Sequence, residues 1–142
     1  MLEQILVSYS AVVNATTDFR QAIPEVAARV GDRRTACAMD IAASGMVYAV
    51  GEIGSGMYRV KSQSNPLGGY DVDERPGYHA CTCPDYPRVF TCKHRLAVYL
   101  ALAALCAQAR EDADKARARE DDLHLSIGVE QQHQDRLQHA YA

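Results

Sequence analysis

The sequence lacks the long apolar segments of a membrane protein. None of its uncharged apolar runs approaches the roughly 18 residues that a helix needs to cross a bilayer. The first residues, Met1-Leu2-Glu3-Gln4, also lack the basic region and apolar run of a secretory signal. We therefore expect a soluble protein of the reducing cytoplasm, with no membrane partner.

The sequence also lacks the even number of cysteines that a disulfide framework needs. It has five cysteines, and no secretory signal accompanies them. Disulfides are rare in reducing compartments, where spaced cysteines more often bind metal ions. The cysteine content therefore favours metal ligation.

A third absence is an excess of basic residues. The formal net charge is −3. Residues 1–70 carry six acids and six bases, residues 71–95 carry four of each, and residues 96–142 carry eight acids and five bases. Proteins that bind nucleic acid mainly through its phosphates usually have an evident basic face, and here such a face is modest.

The length of 142 residues suits one main core with appended segments. The sequence predicts an α+β fold in three parts. Residues 1–31 form N-terminal helices, residues 32–109 form a metal-binding domain with a small antiparallel sheet and a core helix, and residues 110–142 form a charged helical extension and tail.

Three helices are predicted before the sheet. The first covers residues 2–13 and ends at Asn14, because apolar residues recur at helical spacing at Leu2, Ile5, Leu6, Tyr9, Val12 and Val13. Pro24 suits the first turn of a second helix that Gly31 ends. Asp32 can cap a third helix that continues to about Ser44.

Alternating apolar and polar residues then predict strands. A short strand covers residues 47–50, a hairpin pairs residues 57–63 with residues 70–73, and a further strand covers residues 77–80.

The hairpin register is predicted from its apolar residues. If Val60 faces Val72, Arg59 lies opposite Asp73 and Lys61 opposite Asp71. This pairing gives both bases an intramolecular role.

A long helix follows. Residues 96–109 are apolar on nearly all sides and should be buried. Beyond Arg110 the helix is charged and should end near residue 122, with the pairs Glu111–Lys115 and Asp114–Arg117 on its surface.

The metal-binding pattern lies between the last strand and this helix. Residues 81–94 contain Cys-x-Cys followed by Cys-x-His, formed by Cys81, Cys83, Cys92 and His94. Three thiolates and an imidazole complete a tetrahedral zinc site, and a closed set of four ligands is typical of structural zinc. The sequence therefore predicts one structural Zn²⁺ ion, whose negative ligand set is offset by Lys93, Arg95 and the start of the helix.

Other cysteines and histidines have simpler explanations. His79 could replace a ligand, but strand alternation can equally place it in packing or at the surface. Cys37 and Cys106 lie on apolar helical faces and are expected in the core. The remaining histidines are expected to be solvated, because their spacing fits no compact site: His124, His133 and His139.

This arrangement resembles the SWIM zinc-finger family, whose hallmark is Cys-x-Cys, a spacer and Cys-x-His. Tyr58-x-Val60-x-Ser62 and Tyr70-Asp71-Val72 are similar to the hairpin that precedes the finger, and Cys92-Lys93-His94 is followed by the expected helix. The resemblance implies a zinc-stabilised fold over roughly residues 33–105. Family members are taken to bind DNA or other proteins.

Catalysis is not expected. The sequence shows no glycine-rich phosphate loop and no paired-carboxylate motif. A cysteine nucleophile needs an open thiolate and a nearby base, whereas three of the cysteines are assigned to zinc. We therefore expect neither an enzyme nor a small-molecule substrate.

Two functions fit these features. The first is an accessory protein that binds nucleic acid, DNA rather than RNA, within a larger complex. Its phosphate contacts would come from Arg59, Lys61, Arg88, Lys93 and Arg95, with Tyr86 or Phe90 available for stacking. The second is a protein-interaction subunit in which the zinc finger is purely structural.

Overall fold

The computed structural model describes residues 1–65, 67–78, 80–84 and 91–140, with side chains described as far as residue 122. Two compact units are present, residues 1–108 and residues 109–142. The first unit contains three helices, the first part of a fourth helix, and a five-stranded antiparallel sheet whose strands lie side by side in the order of the chain. This is the predicted α+β fold.

The N-terminal residues form a strand, so the predicted helix over residues 2–13 is wrong at its start. Strand β1 (Leu2–Gln4) pairs antiparallel with β2 (Val47–Val50) at the edge of the sheet. The side chain of Gln4 also donates a hydrogen bond to the Gly45 carbonyl oxygen at 2.7 Å. These long-range contacts override the helical period of the sequence.

Helix α1 (Tyr9–Ala22) begins later and continues past Asn14. Ser8 caps it, because its Oγ accepts a hydrogen bond from the Ala11 amide at 3.2 Å. Thr16 lies on the buried face, where its hydroxyl donates to the Val12 carbonyl oxygen at 2.8 Å. That bond satisfies the buried hydroxyl within the helix.

Two further helices lie close to their predicted positions. Helix α2 (Pro24–Val30) starts with proline and ends at Gly31, whose φ of 82° favours glycine. Helix α3 (Asp32–Ala43) starts one residue earlier than predicted, because Gly31 is its N-cap and Asp32 already lies in its first turn. No side chain caps this helix.

The hairpin of β3 (Met57–Lys61) and β4 (Gly69–Asp73) has a register two residues from the predicted one. Val60 faces Tyr70, and Tyr58 faces Val72. A shift of two residues keeps every side chain on its predicted face, because strand side chains alternate with a period of two. The apolar pattern therefore predicts the buried face but does not distinguish these two registers.

The last strand, β5 (Ala80–Cys81), is shorter and later than the predicted strand at residues 77–80. Gly77 has a φ of 87° and lies in a turn closed by a hydrogen bond from the Tyr78 amide to the Arg75 carbonyl oxygen at 3.0 Å. The chain therefore reaches the sheet only at Ala80.

Helix α4 (Lys93–Ala140) supplies the centre of the core from one face only. Leu96 and Leu100 are at most 2% exposed, whereas Tyr99 is 47% exposed. Cys106 is also exposed, so its predicted burial is wrong, and Cys37 on α3 is only partly buried. The other buried apolar residues in the described part of α4 are Ala97, Val98, Ala101 and Ala104.

The second unit consists of the remainder of α4. Lys115 pairs with Glu111 at 3.1 Å and Arg117 with Asp114 at 3.3 Å, as predicted. The helix continues to Ala140, so the predicted end near residue 122 is wrong. None of the helices within the described ranges has the length and apolarity to span a membrane.

The capping role of Ser8 is testable by urea unfolding of the zinc-loaded protein. Ser8→Ala should lower the free energy of unfolding by about 1 kcal/mol, because an amide of the first turn loses its acceptor. Thr17→Ala is the matched control, since Thr17 is exposed on the same helix and its hydroxyl only bonds the Val13 carbonyl oxygen at 3.1 Å. Equal stability of the Ser8→Ala protein and the wild type would contradict this helix start.

Candidate metal centre

The four predicted zinc ligands lie where the sheet passes into α4. Cys81 is the last residue of β5, and Cys83 follows it by two residues. Cys92 immediately precedes α4, and its carbonyl oxygen accepts the Leu96 amide at 3.1 Å as part of the first helical turn. His94 is the second residue of the helix.

Strand pairing fixes the first ligand pair. Cys81 lies opposite Val72 of β4. Beyond it, the Thr82 amide donates to the Asp71 carbonyl oxygen at 3.1 Å, and the Asp71 amide donates to the Thr82 hydroxyl at 2.9 Å. The backbone between Cys81 and Cys83 is therefore held against β4 by two hydrogen bonds.

The geometry of the cluster fits one zinc ion. The ligand atoms of Cys81, Cys83, Cys92 and His94 all lie within 4.8 Å of one another, and all four residues are buried. In a tetrahedral site with three sulfur ligands and one nitrogen ligand, these atoms lie about 3.5–3.8 Å apart. Small side-chain adjustments therefore suffice to close the set around an ion.

The two ring nitrogens of His94 have different surroundings. His94 is 3% exposed, and its Nδ1 has no hydrogen-bond partner among the described residues. Leaving such an atom unsatisfied costs about 1–3 kcal/mol. His94 hydrogen-bonds Cys92. Because Nδ1 has no partner, this contact is made by Nε2, which is the nitrogen that would coordinate a metal ion in the cluster.

The three thiols are electrostatically coupled. The pKa of Cys92 is lowered to about 3, chiefly by a hydrogen bond from Cys81, against the opposing effect of burial. The same hydrogen bond, followed by burial, raises the pKa of Cys81. Within the pair of Cys81 and Cys92, the protein groups thus favour the thiolate at Cys92, whereas coordination to Zn²⁺ deprotonates every coordinating thiol.

The predicted nucleic-acid contacts are mostly engaged within the protein. Arg59 donates to Asp71 at 2.8 Å. Arg95 donates to Glu74 at 2.7 Å, and its side chain is only 11% exposed. The Lys61 ammonium lies 5.1 Å from the centre of the Tyr48 ring.

The predicted opposition of Lys61 to Asp71 is wrong, because the observed register places Lys61 opposite Gly69. Arg88, Tyr86 and Phe90 lie outside the described residues, as does His79. Lys93 differs from the other bases, because its ammonium donates only to the Gln63 side-chain oxygen at 3.3 Å within the described residues.

Lys93 belongs to a basic cleft that the sequence analysis did not identify. The cleft has a volume of about 510 Å³ and is lined by Lys93 together with Arg33, Arg34, Asp32 and Cys37 of α3. We call it the basic cleft. No residue in the described part of the chain forms an ion pair with Arg33 or Arg34. Adjacent arginines at a helix start were the available signal, but only the fold brings Lys93 beside them.

Residues 73–103 match the family model of the SWIM zinc finger. The matched segment contains all four ligands, β5 and the first turns of α4, and it leaves β1 to β3 and the N-terminal helices outside. No curated protein and no solved structure matches the chain. The resemblance to this finger is therefore confirmed, and its buried Cys₃His cluster is consistent with one bound zinc ion.

Elemental analysis tests the metal centre. The purified protein should contain one zinc ion per chain, and Cys83→Ser or Cys92→Ser should lose it. Because metal binding and folding are linked, each variant should also unfold at a lower temperature.

Cys106→Ser is the matched control, since Cys106 is the exposed cysteine and lies outside the cluster. It should retain the zinc content and the melting temperature of the wild type. An unchanged melting curve for Cys83→Ser and Cys92→Ser would contradict a structural metal.

Proposed function

We propose that this chain is a non-catalytic accessory protein that binds nucleic acid, preferably DNA, through the basic cleft beside its zinc finger, as part of a larger complex. The observation that carries this proposal is the grouping of Arg33, Arg34 and Lys93 around one cleft. Arg33 and Arg34 have no ion-pair partner among the described residues, so their charge is available to neutralise phosphates and release the counterions of the phosphates.

The contrast with the sheet explains the choice of this surface. Arg59 and Arg75 are paired with Asp71 and Asp73 at 2.8 Å each. A phosphate that approached these arginines would have to compete with a carboxylate already in contact. Arg33 and Arg34 face no such competition from the described residues, although Asp32 lines the same cleft and reduces its net charge.

The zinc centre supports binding by positioning. Lys93 lies between the ligands Cys92 and His94, so any ion held by these two residues also fixes the backbone of Lys93. Arg33 and Arg34 belong to α3, which packs in the same hydrophobic core through Ala38 and Ile41. A bound metal ion would thereby fix Lys93, on one wall of the basic cleft, relative to Arg33 and Arg34 on the other wall.

Two parts of this proposal, a non-catalytic role and a preference for DNA, have separate support. Catalytic zinc needs an open coordination position for a substrate or a reactive water. Four protein ligands would leave no such position. The preference for DNA over RNA follows from the association of the SWIM family with DNA.

A protein-interaction subunit is the second candidate, and a separate surface favours it. A partly apolar groove of about 320 Å³ lies between α1, α2 and α4. Its apolar lining residues are Phe19, Ile23, Val26, Leu96, Val98, Tyr99 and Leu102. Grooves of this kind suit an apolar partner segment, whose binding would depend little on salt.

Binding of a duplex DNA fragment across a series of salt concentrations separates the two functions. The affinity of the wild type should fall steeply with rising salt. Replacing both Arg33 and Arg34 by alanine should weaken binding and reduce the salt slope by about two, because each lost phosphate contact removes roughly 0.9 from it. Lys93→Ala should act in the same direction and leave the zinc content unchanged.

Arg75→Ala is the matched control, because it removes an exposed guanidinium that is already paired with Asp73 and stacked 4.7 Å from the Tyr78 ring. Its binding should stay near that of the wild type. If the zinc-loaded wild type shows salt-sensitive binding to neither DNA nor RNA, the proposed function is eliminated. The apolar groove is then the remaining candidate for the binding surface.

A further inference from the structure

The ring of Tyr70 lies against the imidazole ring of the predicted zinc ligand His94. Tyr70 lies on β4 opposite Val60, and its ring centre is 4.4 Å from that of His94, with an angle of 39° between the ring planes. Tyr70 is partly buried and packs against the hydrophobic core, whereas the imidazole is almost completely buried. The two rings therefore form a close, tilted pair between the sheet and the start of α4, called the stacked pair below.

A coordinating imidazole needs its ring plane fixed. The χ2 torsion of histidine is soft, so contacts with neighbouring groups largely set the direction of the ring nitrogens. In many metal sites a hydrogen bond to the non-coordinating nitrogen does this. Here Nδ1 of His94 has no such partner among the described residues.

The contact with the Tyr70 ring therefore restrains the ring plane of this ligand. An offset aromatic pair contributes about 0.5–1.5 kcal/mol beyond the area that it buries. No hydrogen bond of the Tyr70 hydroxyl is found among the described residues, so the face of the ring is the part of this side chain that acts on His94.

We propose that Tyr70 is a positioning residue of the zinc centre, and that its ring holds the His94 imidazole in the plane required for coordination. The contact also couples the β3–β4 hairpin to the metal, because Tyr70 is held in β4 by its pairing with Val60. The proposal does not depend on the binding of nucleic acid.

Three variants test this role in the full-length chain. Tyr70→Leu should weaken the apparent zinc affinity about tenfold, at the lower end of what loss of an orienting neighbour costs. It should also speed zinc release to a chelator by a comparable factor. Tyr70→Phe keeps the stacked ring and should stay within about twofold of the wild type.

Tyr58→Leu is the matched control for loss of core packing. Tyr58 lies on β3 and is 2% exposed, and no ring contact between Tyr58 and His94 is found among the described residues. The Tyr58→Leu substitution should lower the stability of the protein at least as much as Tyr70→Leu does. With saturating Co²⁺ in place of zinc, however, its visible absorption bands should match those of the wild type, whereas those of Tyr70→Leu should be shifted or broadened.

Equal release rates for Tyr70→Leu and the wild type would overturn the proposal. So would identical cobalt spectra for Tyr70→Leu and the wild type, or a Tyr70→Phe variant that behaves like Tyr70→Leu. If Tyr70→Leu does not fold, proton NMR of the zinc-loaded wild type decides the question. The carbon-bound ring protons of His94 should show an upfield ring-current shift in the wild type. This shift should be absent in Tyr70→Ile or any other folded variant without the ring. A wild type without this shift would refute the stacked pair.

Discussion

The fold depends on bringing three cysteine sulfurs and an imidazole together at one buried point. All four ligand atoms lie within 4.8 Å of one another. Three adjacent thiolates without a cation would repel one another and be desolvated at great cost, so their proximity is stable only if most are protonated or if a metal neutralises them. The end of the sheet and the start of α4 are joined at this point, and the positions of Lys93 and Arg95 follow from it.

Charge pairing divides the surface of the first unit into two kinds of area. On β3 and β4, arginine and aspartate face each other across the hairpin, as in Arg59 and Asp71. Near the start of α3, the two arginines have no ion-pair partner in the described residues. The numbers of acidic and basic residues are nearly balanced over the whole chain. This balance conceals the difference between paired and unpaired arginines, because net charge counts every charged side chain whether or not it is paired.

The sequence predicted the metal centre more accurately than its surroundings, for physical reasons. The spacing of Cys81, Cys83, Cys92 and His94 is local and chemically restrictive, so it identifies the site without knowledge of the tertiary fold. The strand at residues 2–4 and the basic cleft depend instead on contacts between distant segments, for which a single sequence contains little signal. The hairpin shows an intermediate case, since alternation predicts the faces but allows registers that differ by two.

The order of the strands has a consequence for how the molecule assembles. Strands β2, β3 and β4 each pair with the next strand along the chain through a short connection, so their contacts close short loops. Strand β1 also pairs with the next strand, at residues 48–50 of β2, but three helices lie between the two strands in the sequence. Long loops cost more entropy to close and slow the formation of the contacts that they join. We therefore expect the meander and the cysteine-rich turn to organise early, and the first strand to dock last.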